Sequence, residues 1–279
     1  MDLQGSISNL LSEVEVVVDV TPSGVGKKNK ENFYSKYKVK CVFQAGEPLE
    51  VADIQAFMST VNYEDARKAS SVRIPSPTAV SLTRTLKPLD AEFGIKHVMC
   101  TLIRPGTEPM RGHRGPVDTI VPDKPYVAGK TLRDEMRQMF PKDILFTSLT
   151  VPSMLLAVEV IVVDLERRAS TEKVIDLLCR IPRSIVVRSD MGLHSTDAIF
   201  EYIRRVACPS ADIYEACIWH EHVETINSRL KLVQAFDPHC VQTPEVIDAI
   251  RALANTTTLE KSLKLTDEAL KILTPGIYP

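Results

Sequence analysis

The stretch from Glu15 to Gln44 constrains this chain most. Glu15 to Val20 (EVVVDV) is a short β-branched run that reads as a buried strand. Thr21-Pro22-Ser23-Gly24-Val25-Gly26 follows as a turn, and the basic run Lys27 to Lys40 reads as a helix with a solvated face. Val39 to Gln44 (VKCVFQ) is a second strand, stopped by Ala45-Gly46. Strand, crossover helix, strand is the grammar of a parallel sheet, because parallel neighbours need a long return connection.

Further along, Leu82, Leu86, Leu89 and Phe93 fall on one stripe of a helix over Ser76 to Phe93, which Pro88 is expected to end or kink. His97 to Ile103 reads as a strand. Arg104 to Pro125, rich in proline and glycine, reads as a long loop, with a short helix at Thr131 to Phe140. Leu145 to Leu165 is a β-rich run broken at Pro152. Glu172 to Arg180 and Ser195 to Ala207 are amphipathic helices around a strand at Ser184 to Arg188. Tyr214 to Trp219 and Arg229 to Ala235 read as strands. Thr243-Pro244-Glu245 starts a helix that runs to Ala254, and a last helix covers Leu259 to Leu273.

After residue 95 the strands come closer together than a strand–helix alternation allows. The expected fold class is therefore α/β: a partial Rossmann-type parallel sheet, then an α+β domain with a mixed sheet. The expected boundaries are residues 1–75 for the first domain, with 255–279 packed on it, and 76–254 for the second.

The formal net charge of −2 excludes a global field that recruits nucleic acid or anionic membrane. No apolar run reaches the ~18 residues of a membrane span. The N-terminus lacks a basic n-region, so a cytoplasmic protein with no membrane partner is expected. Six cysteines (41, 100, 179, 208, 217 and 240) show no CxxC spacing; four sit in apolar runs and read as reduced core thiols. No metal site is expected. His220 and His222 share a face only if their strand continues, and no cysteine or aspartate stands near them at metal spacing.

Seven stretches, in order, resemble the archaeal (type II) glyceraldehyde-3-phosphate dehydrogenases. They are VVVDVTPSGVGKKN (16–29), VFQAGEPLEVADI (42–54), NYEDARKASSVRIPS (62–76) with the Leu82/Arg84 helix, RGPVDTIVPD (114–123), IPRSIVVRS (181–189), TPEVIDAIRAL (243–253) and ALKIL (269–273). The resemblance implies a Rossmann cofactor domain and a catalytic domain with a mixed sheet. It also implies that the family's opening strand and Gly-rich pyrophosphate turn are missing here, or that Met1 is not the true start. None of the 11 glycines forms GxGxxG; Gly24 and Gly26 match the family's later TPxGxG turn.

The family's chemistry needs a thiolate at a helix N-terminus, where the dipole lowers its pKa and backbone N–H groups hold the oxyanion. Here the matching run is Ser76-Pro77-Thr78. Pro77 stands for the nucleophile and also lacks an N–H, and Thr78 stands for the family's asparagine. By the same resemblance the catalytic base falls on Ala157 and a second histidine on Glu159. As a lone carboxylate in an apolar strand, Glu159 is expected to pair with a nearby arginine, with an exposed strand face and a functional acid as the other readings. The paired arginines align with Arg104-Pro105, and the phosphate-binding histidines fall on Lys130 and Thr131. The FQGGE-like cofactor turn keeps its glycine as Gly46, and the glutamine that approaches the nicotinamide is replaced around Pro238. No catalytic position is intact. Ser76, Thr78, Arg104, Lys130 and Thr131 remain as candidates for holding an anion or phosphate. A replacement pair of Cys100 and His97 is disfavoured, since residues three apart on a strand face opposite sides.

The leading expectation is a non-catalytic dehydrogenase-like protein that binds, scaffolds or regulates, with no cofactor. The alternative is a residual or split dehydrogenase using NAD or NADP. A second alternative is RNA or polyanion binding by the loop 104–133, which carries Arg104, Arg111, Arg114, Lys124, Lys130 and Arg133. A strand edge left open near Glu15 to Val20 is expected to be covered by a protein partner or by self-association into an oligomer.

Overall fold

The computed structural model describes residues 5–44, 46–108, 112–113, 119–123, 125–208, 210 and 212–279. Its contacts divide the chain into two units: 1–76 with 242–268, and 77–241 with 269–279.

In the first unit, α1 (Ile7–Glu13) leads into β1 (Val16–Asp19). A helical run follows: α2 (Val25–Asn29), one π-type stretch at Lys30–Tyr34, and α3 (Ser35–Tyr37). Then come β2 (Lys40–Phe43), α4 (Ser59–Ala66) and β3 (Ser71–Arg73). The three strands pair in the order β1-β2-β3, all parallel, with Val17 opposite Cys41 and Val42 opposite Val72. The turn and crossover read from the sequence thus close a parallel sheet. Its two apolar clusters gather Leu11, Tyr34, Val39, Cys41 and Phe43, and Val42, Phe57, Tyr63, Val72 and Leu253.

The second unit opens with α5 (Pro77–Phe93), β4 (Ile95–Pro105), the short ribbon β5 (Thr107–Glu108) and β6 (Gly112–His113), and β7 (Val121–Pro122). It continues with α6 (Pro125–Met139), β8 (Ile144–Val151), β9 (Ala157–Leu165), α7 (Thr171–Leu178), β10 (Ser184–Val187), α8 (Thr196–Val206), β11 (Ala216–Trp219), β12 (Glu224–Ile226) and β13 (Arg229–Phe236). The chain then returns to the first unit for α9 (Thr243–Leu253) and most of α10 (Leu259–Leu270), and ends in β14 (Ile277–Tyr278). The large sheet runs β14-β10-β11-β13-β9-β4-β8-β7, with β12 on β13. β4 pairs parallel with β8 and antiparallel with β9, so the sheet is mixed.

Three local expectations are corrected. Pro88 does not end the helix: α5 continues to Phe93. A helix-interior proline costs about 3 kcal/mol, whereas Leu82, Leu86 and Leu89 are each 0% exposed and contribute about 1.5–3 kcal/mol apiece. Packing on both sides of Pro88 therefore wins. Residues 104–125 are not one loop: β4 runs on to Pro105, and short pairings follow. α6 begins at Pro125, six residues before the expected Thr131.

The domain bounds also change. α9, expected in the second domain, packs in the first unit. Glu245 Oε2 accepts from Ser59 N (2.9 Å) and Ser59 Oγ (2.7 Å), and Lys40 Nζ donates to Leu253 O (2.5 Å). Residues 269–279, expected on the first domain, belong to the second unit. There β14 pairs with β10, and Leu273 N donates to Glu215 Oε1 (2.6 Å).

Candidate functional site

One corner of the second unit collects several of the positions singled out in the sequence. Phe236 at the end of β13 lies opposite Ala157 at the start of β9, and Ile103 near the end of β4 lies opposite Val158. Arg104 faces Thr150 across the β4–β8 pair. The first turns of α5 lie over the same end, because Ser81 Oγ donates to Glu159 Oε2 at 2.8 Å. Pro77 is the first residue of α5 and Ser81 lies one turn on. The nucleophile and base positions of the resemblance thus come to one corner, and they bring a proline ring and a methyl group to it.

α5 starts here for a simple reason. The first four N–H groups of a helix have no internal partner, so a residue without an N–H loses nothing there and presets φ. Ser76, Pro77 and Thr78 are all half-buried. Ala157 is 1% exposed, with no group to take a proton.

Beneath the corner lies a polar network that the sequence reading did not find. Glu159 is fully buried. Its Oε2 accepts from Ser81 Oγ (2.8 Å) and from Gln234 Nε2 (2.6 Å), while Thr85 Oγ1 donates to Gln234 Oε1 (2.7 Å). Glu159 Oε1 has no hydrogen-bond partner. The expected arginine partner is therefore corrected: the residue directly across from Glu159 on β13 is Gln234, and neutral donors meet the carboxyl. Burial pushes the Glu159 pKa up to about 8, against the smaller lowering effect of the two hydrogen bonds. At neutral pH the group is a neutral acid. The sequence signal that could have found it is Gln234, a lone amide in the apolar run LVQAF, since a buried amide demands partners.

A buried cation, Arg84, braces the same part of the unit. Arg84 on α5 donates from Nη1 to Tyr214 O (2.6 Å) and from Nη2 to Val241 O (2.8 Å). Nearby, Glu215 is held above the usual carboxylate range, mainly by burial.

Among the described anion candidates, Arg104 is already paired. Arg104 donates to Asp123 Oδ1 (3.1 Å) and Thr150 Oγ1 (3.3 Å), and Thr150 Oγ1 and Ser148 Oγ also donate to the same carboxylate. A guanidinium already paired to a carboxylate attracts a second anion weakly. Thr131 is exposed on α6. The Lys130 side chain and residues Arg111, Arg114 and Lys124 lie outside the described residues. Cys100 is buried and His97 exposed, on opposite faces of β4, and burial raises the Cys100 thiol well above its usual range. β11 stops at Trp219, so His220 and His222 fall in a 3-10 turn instead of on one strand face. Among the described residues no group of three or more metal-ligating side chains converges. No helix among them is long and apolar enough to cross a membrane.

In the first unit, Gly46 sits at φ +79 in an open turn, a backbone state that favours glycine. The TPSGVG and QAGE turns are latched together: Ser23 Oγ donates to Gly46 O (2.8 Å) and Gly26 N to Glu47 Oε1 (2.8 Å). A Cβ on Gly26 would meet Glu47 Oε1 at 3.0 Å, so that glycine permits the close approach.

The fold is that of a semialdehyde-dehydrogenase type of scaffold. The crystal structure of aspartate semialdehyde dehydrogenase II from Vibrio cholerae matches with a TM-score of 0.68 over 87% of this chain and 79% of that one. The identity is only 14%, so the likeness is one of fold. A family model described as glyceraldehyde 3-phosphate dehydrogenase, C-terminal domain, matches residues 76–236. Glyceraldehyde-3-phosphate dehydrogenase of Thermoplasma volcanium is 36% identical over 270 residues, covering 97% of this chain and 79% of the relative. That of Haloarcula marismortui is 34% identical over 270 residues, covering 96% and 75%. The chain belongs to the glyceraldehyde-3-phosphate dehydrogenase family, in its archaeal type.

Proposed function

We propose that this protein is a non-catalytic member of its family, a binding, structural or regulatory subunit that carries out no aldehyde oxidation. The observation that carries the reading is the corner itself. The helix start that should present a thiolate presents Pro77, and the strand start that should present a base presents the buried Ala157. Thiol attack, proton removal and one backbone oxyanion donor are lost together, and loss of the nucleophile or base alone costs several orders of magnitude in rate. The neighbouring Glu159 is a poor substitute base, because it keeps its own proton at neutral pH and is sealed from solvent.

The test is an assay of the purified protein with glyceraldehyde 3-phosphate, inorganic phosphate and NAD or NADP. No reduced nicotinamide above the blank is expected, and no binding of either cofactor in a fluorescence titration. Turnover that responds to protein concentration overturns the reading. One observation favours a second reading, a retained NAD or NADP site: the Gly24–Gly26 and Gly46 turns keep their positive-φ glycines and their latch. Cofactor binding without turnover would select that version. Binding of RNA by the loop 104–133 has less support, since Arg104 is bound to Asp123.

A further inference from the structure

Two of the six cysteines, Cys208 and Cys240, lie outside the apolar runs, and the second unit brings both to one carboxylate. Cys208 follows the last turn of α8, where its N–H donates to Ile203 O (3.1 Å). Cys240 lies in the turn after β13. Cys240 Sγ donates to Asp212 Oδ1 at 3.5 Å, and Cys208 Sγ to Oδ2 of the same side chain at 4.0 Å. Ser210 Oγ (2.6 Å) and Tyr214 Oη (3.4 Å) donate to that Oδ2 as well. Both thiols are half-buried, whereas Cys41, Cys100 and Cys217 are buried. Residues far apart in sequence thus hold two sulfurs against the two oxygens of one aspartate, at the surface of a single unit.

We propose that Cys208 and Cys240 form a reversible disulfide when the protein meets a peroxide, a redox lock that ties the end of α8 to the turn after β13. Cytosolic disulfides are mostly of this transient, sensing kind. The Cys208 sulfur gives two electrons to the peroxide, whose O–O bond breaks; the sulfur becomes a sulfenic acid and an alcohol or water leaves. The Cys240 sulfur then attacks the Cys208 sulfur and displaces its hydroxide, which leaves as water. Asp212 Oδ1 already accepts the Cys240 S–H, so it is placed to take that proton and pass it to the hydroxide. Burial, and after it Asp237 and Asp212, hold the Cys240 thiol above its ordinary range, so this relay is what lets it act as the attacking sulfur. An S–S bond of about 2 Å leaves no room for a carboxylate between the sulfurs, so closure releases Asp212 from both. The closed loop contains β11, β12 and β13. Cross-linking it removes freedom from the unfolded chain and stabilises the second unit.

The test treats the full chain with hydrogen peroxide, blocks remaining thiols by alkylation and maps the unreduced protein by mass spectrometry. Cleavage before aspartate separates Cys208 from Cys217, because Asp212 lies between them. A peptide pair linked through Cys208 and Cys240 is expected, in a yield unchanged by dilution and abolished by dithiothreitol. In Cys240→Ser the sulfenic acid on Cys208 has nothing to resolve it, so capture by dimedone should rise several-fold over the parent. The urea midpoint, followed by Trp219 fluorescence, should rise on oxidation of the parent and return on reduction. It should not rise in Cys240→Ser or Cys208→Ser. A parent whose Cys208 is recovered alkylated or overoxidised with no link to Cys240 overturns the proposal. So do equal dimedone capture in parent and Cys240→Ser, a link whose yield falls on dilution, and a linked chain with an unchanged midpoint. These readouts need neither aldehyde nor cofactor, so their failure is distinct from a failure of the non-catalytic reading.

Discussion

Replacing Glu159 with glutamine should change how stability depends on pH. The folded carboxyl is pushed up to about 8 from an ordinary 4.5, with burial as the largest cause. Below pH 4.5 folded and unfolded chains both hold the proton, and the acid contributes its full stability. As pH rises from 4.5 to 8, the unfolded chain releases the proton while the folded chain keeps it. Stability then falls by about 1.4 kcal/mol per pH unit, and it levels off above the folded pKa. A gap of this size amounts to roughly 4–5 kcal/mol between pH 4.5 and 8. The side chain is 0% exposed, so solvent screening gives no discount. Glu159→Gln removes this dependence. It adds a pH-independent penalty of about 1–3 kcal/mol, because its new N–H donor faces the position where Oε1 has no partner. The readout is urea unfolding followed by Trp219, the single tryptophan of the chain, which is 6% exposed in the second unit. The parent should lose stability steeply from pH 5 to 8 relative to the variant, and the variant should be the more stable form at pH 8.5. Parallel stability profiles from pH 5 to 9 would refute the argument that a neutral acid is buried there.

Two further substitutions probe the scaffold. Arg84→Met should destabilise the second unit by about 3 kcal/mol or more, because the Tyr214 and Val241 carbonyls lose a buried charged donor; a loss under 1 kcal/mol by chemical denaturation counts against the bracing role. Gly94→Ala should cost about 2–3 kcal/mol, since φ is +69 and the added Cβ would lie 2.6 Å from Glu166 Oε2; thermal melting within 2 °C of the parent would contradict it.

The parts of the fold legible in the sequence were those that local pattern determines. The β-branched runs at Glu15 and Val39 gave β1 and β2, the leucine spacing gave the buried face of α5, and Thr243-Pro244 gave the start of α9. What local pattern cannot carry is the partner a residue meets far along the chain. Glu159 faces Gln234 and Ser81, 75 and 78 residues away, and no arginine. α9 goes to the first unit because Glu245 meets Ser59 across 186 residues. Pro88 was read by its own propensity, and the buried leucines around it decided otherwise. At the corner, the identities of Pro77 and Ala157 were read directly, whereas the capture of Arg104 by Asp123 depends on how β4, β7 and β8 align.

The latch between the two turns of the first unit has a consequence for any ligand there. Gly26 N is spent on Glu47, so a visiting group finds that donor already engaged. Glu47 Oε2, 1% exposed residue and all, sits beside it with no hydrogen-bond partner. The same carboxylate is the nearest neighbour that a Cβ on Gly26 would meet, at 3.0 Å. The two turns therefore cannot vary independently: a side chain added in the first would press on the group that fixes the second.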